Sequence, residues 1–129
     1  MTPKRKGKNM KKEQVQTSFY LTKNLRDLSR FLYKREEITK IVFYRRALKY
    51  YFEVDGEVDS KVLITKRNHP NYIRRDAPET VKIDLDLKAK IEELALEKDY
   101  KEGQIIFSAV VDYCAALLKL DSTGVTIEH

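Results

Sequence analysis

The feature that most constrains this chain is an order of hydropathy patterns that occurs twice. Thr17-Ser18-Phe19-Tyr20-Leu21-Thr22 alternates apolar and polar residues and is followed by two helical patterns; the same order returns from Glu79-Thr80-Val81-Lys82-Ile83-Asp84. Alternation assigns Phe19 and Leu21 to one face of a strand and Ser18 and Tyr20 to the other. Val81 and Ile83 repeat the inner row, Thr80 and Lys82 the outer. One strand and two short helices bury too little apolar area to offset chain entropy, and a lone strand leaves its backbone groups unpaired. Two such units in one chain remove both problems if their strands pair.

After the first strand the period changes. Leu21, Leu25, Leu28 and Leu32 line one side of a helix, and Thr22 is placed to cap its N-terminus. The polar run Lys34-Arg35-Glu36-Glu37 interrupts the stripe, and Thr39 offers a second cap ahead of a helix through Phe52 with Phe43, Ala47, Leu48 and Tyr51 at core spacing. At an offset of 62 residues the second half aligns without a gap: Leu21 falls on Ile83, Leu25 on Leu87, Phe43 on Ile105, Ala47 on Ala109 and Tyr51 on Tyr113. A register that makes Leu85 the last inward strand residue also alternates. The offset of 62 is preferred because Ile83, Leu87, Ile91, Leu94 and Ala95 then continue as one helical stripe.

These patterns divide the 129 residues into a flexible basic arm (1–14), a first unit (15–52), a linker (53–78), a second unit (79–120) and a tail (121–129). In the linker Gly56 marks a turn, and Pro70 and Pro78 discourage regular structure; the run from Lys61 to Thr65 is a candidate extra strand. Charge is uneven. Residues 1–52 carry 15 Lys/Arg against 4 Asp/Glu, whereas residues 79–129 carry 6 against 11, so the first half is the main footprint for a polyanion. No apolar run approaches the roughly 20 residues that span a bilayer, and a cytoplasmic protein without membrane attachment is expected. One cysteine, Cys114, and two histidines, His69 and His129, supply no zinc set, and no cofactor is expected. Cys114 reads as a small buried apolar residue.

The run Thr80-Val81-Lys82-Ile83-Asp84, then Leu87, Ile91, Leu94 and Ala95, then Ile105 to Tyr113, resembles the strand and two helices of the ribbon-helix-helix DNA-binding family. Two copies in one polypeptide are similar to its tandem members, the TraY-like conjugation accessory proteins; the single-unit members are MetJ/Arc-type repressors. The resemblance covers residues 15–52 and 77–118. It implies a mainly α fold with a two-stranded antiparallel β-ribbon, formed as an intramolecular pseudo-dimer of two ribbon-helix-helix units. It also implies double-stranded DNA as partner, in transcription regulation or in plasmid or phage DNA processing.

In that family the outer face of the ribbon enters the major groove. The resemblance therefore makes Ser18 and Tyr20, opposite Thr80 and Lys82, the base-reading row, with Gln16 at its edge. Lys82 can donate to guanine, Gln16 can pair with adenine, and Tyr20 can contact a thymine methyl. The phosphate anchors are the N-termini of the second helices, Thr39 and Lys40 in the first unit and Lys101 and Gly103 in the second, where Glu102 opposes a phosphate and weakens the clamp. Lys4, Arg5 and Lys6 of the arm are further phosphate contacts, or else a solvated tail. The linker's Lys66, Arg67, Arg74 and Arg75 read more simply as a solvated loop, and the aromatic cluster Phe43, Tyr44, Tyr50, Tyr51 and Phe52 as core. A different class, an antitoxin-like protein-interaction module, stays open, as does self-association on DNA. No constellation of catalytic side chains points to an enzyme.

Overall fold

The computed structural model describes residues 13–122, and the arm residues Lys4, Arg5 and Lys6 lie outside that range. The element order is β1 (Gln14–Leu21), α1 (Lys23–Arg35), α2 (Lys40–Glu53), β2 (Ala77–Asp84), α3 (Leu85–Lys98) and α4 (Glu102–Ser122). Among the described residues the protein is mainly helical, with one two-stranded sheet. β1 and β2 pair antiparallel although 55 residues separate them, from Gln14 opposite Asp84 to Leu21 opposite Ala77.

Local chemistry accounts for where each helix starts and stops. Thr22 Oγ1 accepts from the Leu25 amide at 3.0 Å, and Thr39 Oγ1 from the Val42 amide at 3.2 Å. Asp84 Oδ1 does the same for Leu87 at 2.9 Å. Lys101 has no side-chain acceptor to offer α4, and there Gln104 Oε1 reaches back to the Lys101 amide at 2.8 Å. The helices end with equal economy. Glu37, Asp55 and Asp99 adopt left-handed backbone angles (φ 59°, 51° and 58°) that turn the chain out of α1, α2 and α3. The closing bonds match: Ile38 donates to the Tyr33 carbonyl at 3.0 Å, Gly56 to Tyr51 at 2.8 Å and Tyr100 to Ala95 at 3.0 Å.

The helices close over one face of the ribbon. Phe19, Leu21, Val81 and Ile83 are buried beneath it with Phe43, Tyr44, Ala47, Leu48 and Tyr51 of α2 and Ile105, Ile106, Ala109 and Val110 of α4. Of the aromatic cluster, Phe43, Tyr44 and Tyr51 are core as their spacing predicts and Phe52 packs partly against it, whereas Tyr50 is half-buried outside it. Phe19 meets Tyr44 edge-on at 5.3 Å, Tyr44 meets Phe43 at 5.8 Å, and Phe43 meets Tyr113 at 5.3 Å. This row of rings joins β1 through α2 to α4, each contact contributing about 0.5–1.5 kcal/mol beyond its area. Cys114 is buried on α4, with Sγ 3.8 Å from Ser29 Oγ, and burial pushes its thiol up to about 11.

Four expectations need correction. Lys61 to Thr65 is not a strand: Asp59 Oδ1 accepts from the Lys61 amide, and Val62, Leu63 and Ile64 each donate to the carbonyl three residues back, which makes successive turns. Pro78 lies within β2, a place open to proline near the start of a strand with a free edge. The first unit extends to residues before Val15, since Gln14 is in β1 and the Glu13 carbonyl accepts from the Leu85 amide at 3.2 Å. Helix α4 continues through Ser122, into the segment expected as tail. That helix is also long and apolar enough to cross a membrane by length and composition, and half of the apolar stretch is buried inside the protein.

The connecting segment is mostly exposed but anchored to the core at two points. Val58 and Val62 are buried in the core, and Arg75 Nη1 donates to the Val62 carbonyl at 3.3 Å while its guanidinium lies 5.3 Å from the centre of the Phe107 ring.

Candidate nucleic-acid interface

The two-residue period of β1 and β2 leaves Gln16, Ser18, Tyr20, Thr80 and Lys82 exposed together on the ribbon's outer face. The register corrects how they are matched. Ser18 faces Thr80, as expected, but Lys82 faces Gln16 and Tyr20 faces Pro78. Antiparallel pairing about the Ser18–Thr80 pair sends residues that follow it in one strand to residues that precede it in the other. Gln16 is thus beside Lys82 in the row and not at its edge. Asp84, opposite Gln14, spends a carboxylate oxygen on the cap of α3.

Arg45 of α2 ties β2 to the helical layer at this row. Its Nε donates to the Lys82 carbonyl at 2.8 Å, a bond between α2 and β2 that no sequence period announces.

Of the two helix N-termini expected as anchors, that of α4 opens onto a groove shared with the row. Ser18, Phe19 and Tyr20 of β1 share a groove of about 270 Å³ with Lys101, Gly103 and Gln104 of α4 and with Tyr72 and Arg75 of the connecting segment. The first N–H groups of a helix have no partner within it, and α4 turns those of Glu102 and Gly103 to this end. A methyl group added at Gly103 would meet nothing within 4 Å, so the glycine leaves this approach open without being required by the fold. Glu102 is paired with Lys88 Nζ, which moderates the repulsion expected of it.

The N-terminus of α2 is more occupied. Thr39 Oγ1 is committed to the Val42 amide, and Lys40 Nζ lies 3.2 Å from Glu79 Oε1 of β2. The expected ranking of the two clamps therefore has no support in the geometry, because it is Lys40 that meets a carboxylate while Lys101 lines an open groove. Tyr72 had no sequence signal. Arg75 did, as one of four linker cations, and its place is set by Phe107 and Val62.

No metal-binding cluster of His, Cys, Asp or Glu occurs among the described residues. Comparison with protein families, with curated proteins and with solved structures returned no match.

Proposed function

We propose that this chain is a sequence-specific double-stranded DNA-binding protein of ribbon-helix-helix type, an intramolecular pseudo-dimer that inserts its β-ribbon into the major groove. It acts in the cytoplasm as a transcriptional regulator or as an accessory factor in plasmid or phage DNA processing. The observation that carries the proposal is the exposed outer row of Gln16, Ser18, Thr80 and Lys82, drawn from two distant segments, beside a groove that joins Tyr20 to the cationic N-terminus of α4. A two-stranded ribbon matches the major groove in width, and the row holds donors and acceptors suited to base edges. Helix N-terminal amides with Lys101 and Arg75 suit the adjoining phosphates.

The pseudo-dimer is supported by recurrence at one offset. The caps Thr22 and Asp84 lie 62 residues apart, as do the first residues of α2 and α4, Lys40 and Glu102, and the left-handed residues Glu37 and Asp99. Helix caps depend on a few atoms in fixed places, so their coincidence argues for a repeated unit more strongly than shared hydropathy does.

The test is binding of the full chain to duplex fragments of its source genome under excess unrelated competitor. The expected result is a small set of fragments bound with a dissociation constant of order 10⁻⁸ M, about a thousandfold or more tighter than random duplex. Equal affinity for all duplexes, or a preference for single strands, refutes it. A bound site overlapping a promoter favours the regulator, and one at a transfer or replication origin the accessory factor.

A further inference from the structure

Two identical halves would give a ribbon with identical ends, and this ribbon does not have them. At the offset of 62, Gln16 corresponds to Pro78 and Tyr20 to Lys82. Antiparallel pairing therefore puts Gln16 beside Lys82 at one end of the outer row and Tyr20 beside Pro78 at the other, with Ser18 and Thr80 between. One end holds an amide and an ammonium. The other holds a phenol, 56% exposed, and a proline that offers no side-chain donor or acceptor.

We infer that the ribbon reads a non-palindromic duplex site in one orientation, taking hydrogen-bonded base contacts at its Gln16–Lys82 end and apolar contact with phosphate anchoring at its Tyr20–Pro78 end. The inference rests on the DNA-binding proposal and adds the class of site. Lys82 donates to the N7 and O6 of guanine, and the Gln16 amide matches the N6 and N7 of adenine. Tyr20 lays its ring against a thymine methyl, a contact open to proline as well.

The backbone anchors divide in the opposite sense. The groove that opens onto Tyr20 gathers Tyr72, Arg75, Lys101 and Gly103, and Tyr72 and Arg75 come from the segment that leads into β2. Of the α2 cations, Lys40 is paired with Glu79 of β2, the neighbour of Pro78, and Arg45 donates to the Lys82 carbonyl. Base discrimination is concentrated at one end, and the groove for phosphate at the other.

The experiment is selection of bound sequences by the full chain from a random duplex library. The expected motif is directional, with guanine and adenine fixed in one half and a weaker thymine preference in the other. Two symmetrised duplexes, each repeating one half, should bind about fivefold or more weakly than the selected site, the lower bound for losing one good base contact. Lys82→Ala should erase preference in one half only, and Tyr20→Ala in the other only. The double variant Tyr20→Lys with Pro78→Gln, at two exposed positions, should move selection towards a palindrome. A two-fold symmetric motif for the unaltered chain overturns the inference and leaves DNA binding in place; selection of no duplex overturns both.

Discussion

Lys82 and Lys101 are both exposed lysines beside the ribbon, and removing each should have a different consequence for binding. Lys82→Ala deletes a side chain on the outer row but keeps the Lys82 carbonyl that Arg45 holds at 2.8 Å, so the strand stays in register. If Lys82 donates to a guanine, its loss costs about 1–3 kcal/mol on the preferred duplex, or about 5- to 150-fold in dissociation constant, and little on a duplex lacking that base. Lys101→Ala keeps the backbone bond to Gln104 and should weaken every duplex alike. Losing one phosphate contact lowers the slope of log affinity against log salt by about 0.9, so between about 50 and 200 mM salt the variant should lose about 3.5-fold less affinity than the parent. Fluorescence anisotropy with target and scrambled duplexes at four salt concentrations separates the two effects. If Lys82→Ala weakens target and scrambled duplex by the same factor, or Lys101→Ala leaves the slope unchanged, the division between base reading and backbone anchoring is wrong.

Three further outcomes concern the fold. Gly56→Ala should lower stability by about 1–3 kcal/mol in urea titration, because the new methyl would lie 2.4 Å from the buried Tyr51 ring. Asp99→Gly should raise stability by roughly 0.5–1 kcal/mol, relieving a left-handed penalty of about 1–2 kcal/mol against a glycine entropy cost of about 0.5–1, with Glu37→Gly doing the same at the equivalent turn. Burial pushes the Cys114 thiol from 9.0 up to about 11 and the Tyr51 hydroxyl from 10.0 up to about 12, the latter also through Tyr100, Asp112 and Glu57. The folded state then holds these protons more tightly than the unfolded chain, so stability is full below pH 9 and falls as pH rises towards 11 and 12. Cys114→Ala should blunt the first part of that fall, and a urea midpoint that stays level to pH 11 would count against the burial.

What was legible in the sequence was local. A cap needs one hydroxyl or carboxylate at one place, so Thr22 and Thr39 could be named in advance, and a core stripe needs only regular spacing, so Phe43, Ala47, Leu48 and Tyr51 could be too. Strand pairing is a relation between segments, and period alone gives the faces without the partners. This is why Gln16 was expected at the edge and is found beside Lys82. The connecting segment was opaque for a related reason. Val58 stands alone in a polar stretch and Val62 opens a short apolar run that pattern alone reads as strand; it is α4, with Phe107 and Gln104 available to hold Arg75 and the Val62 carbonyl, that fixes the segment against the core.

The charge count raises a sharper question, since residues 79–129 carry a net −5 and yet contribute half of the ribbon. Near the ribbon and its helix N-termini, several of those acids are engaged. Asp84 caps α3, Glu79 meets Lys40, and Glu102 meets Lys88. What a phosphate meets is the local balance, and at the N-terminus of α4 that balance depends on Lys88, which does not line the groove. Lys88→Ala should therefore uncover the Glu102 carboxylate beside the anchoring amides and weaken duplex binding about two- to fivefold, the scale of one charge at a helix terminus. Adding Glu102→Gln should restore binding to the level of Glu102→Gln alone, because with the carboxylate gone there is nothing left for Lys88 to screen. If the two substitutions add independently, Lys88 acts on DNA directly or not at all, and the acidic half must be accommodated by distance alone.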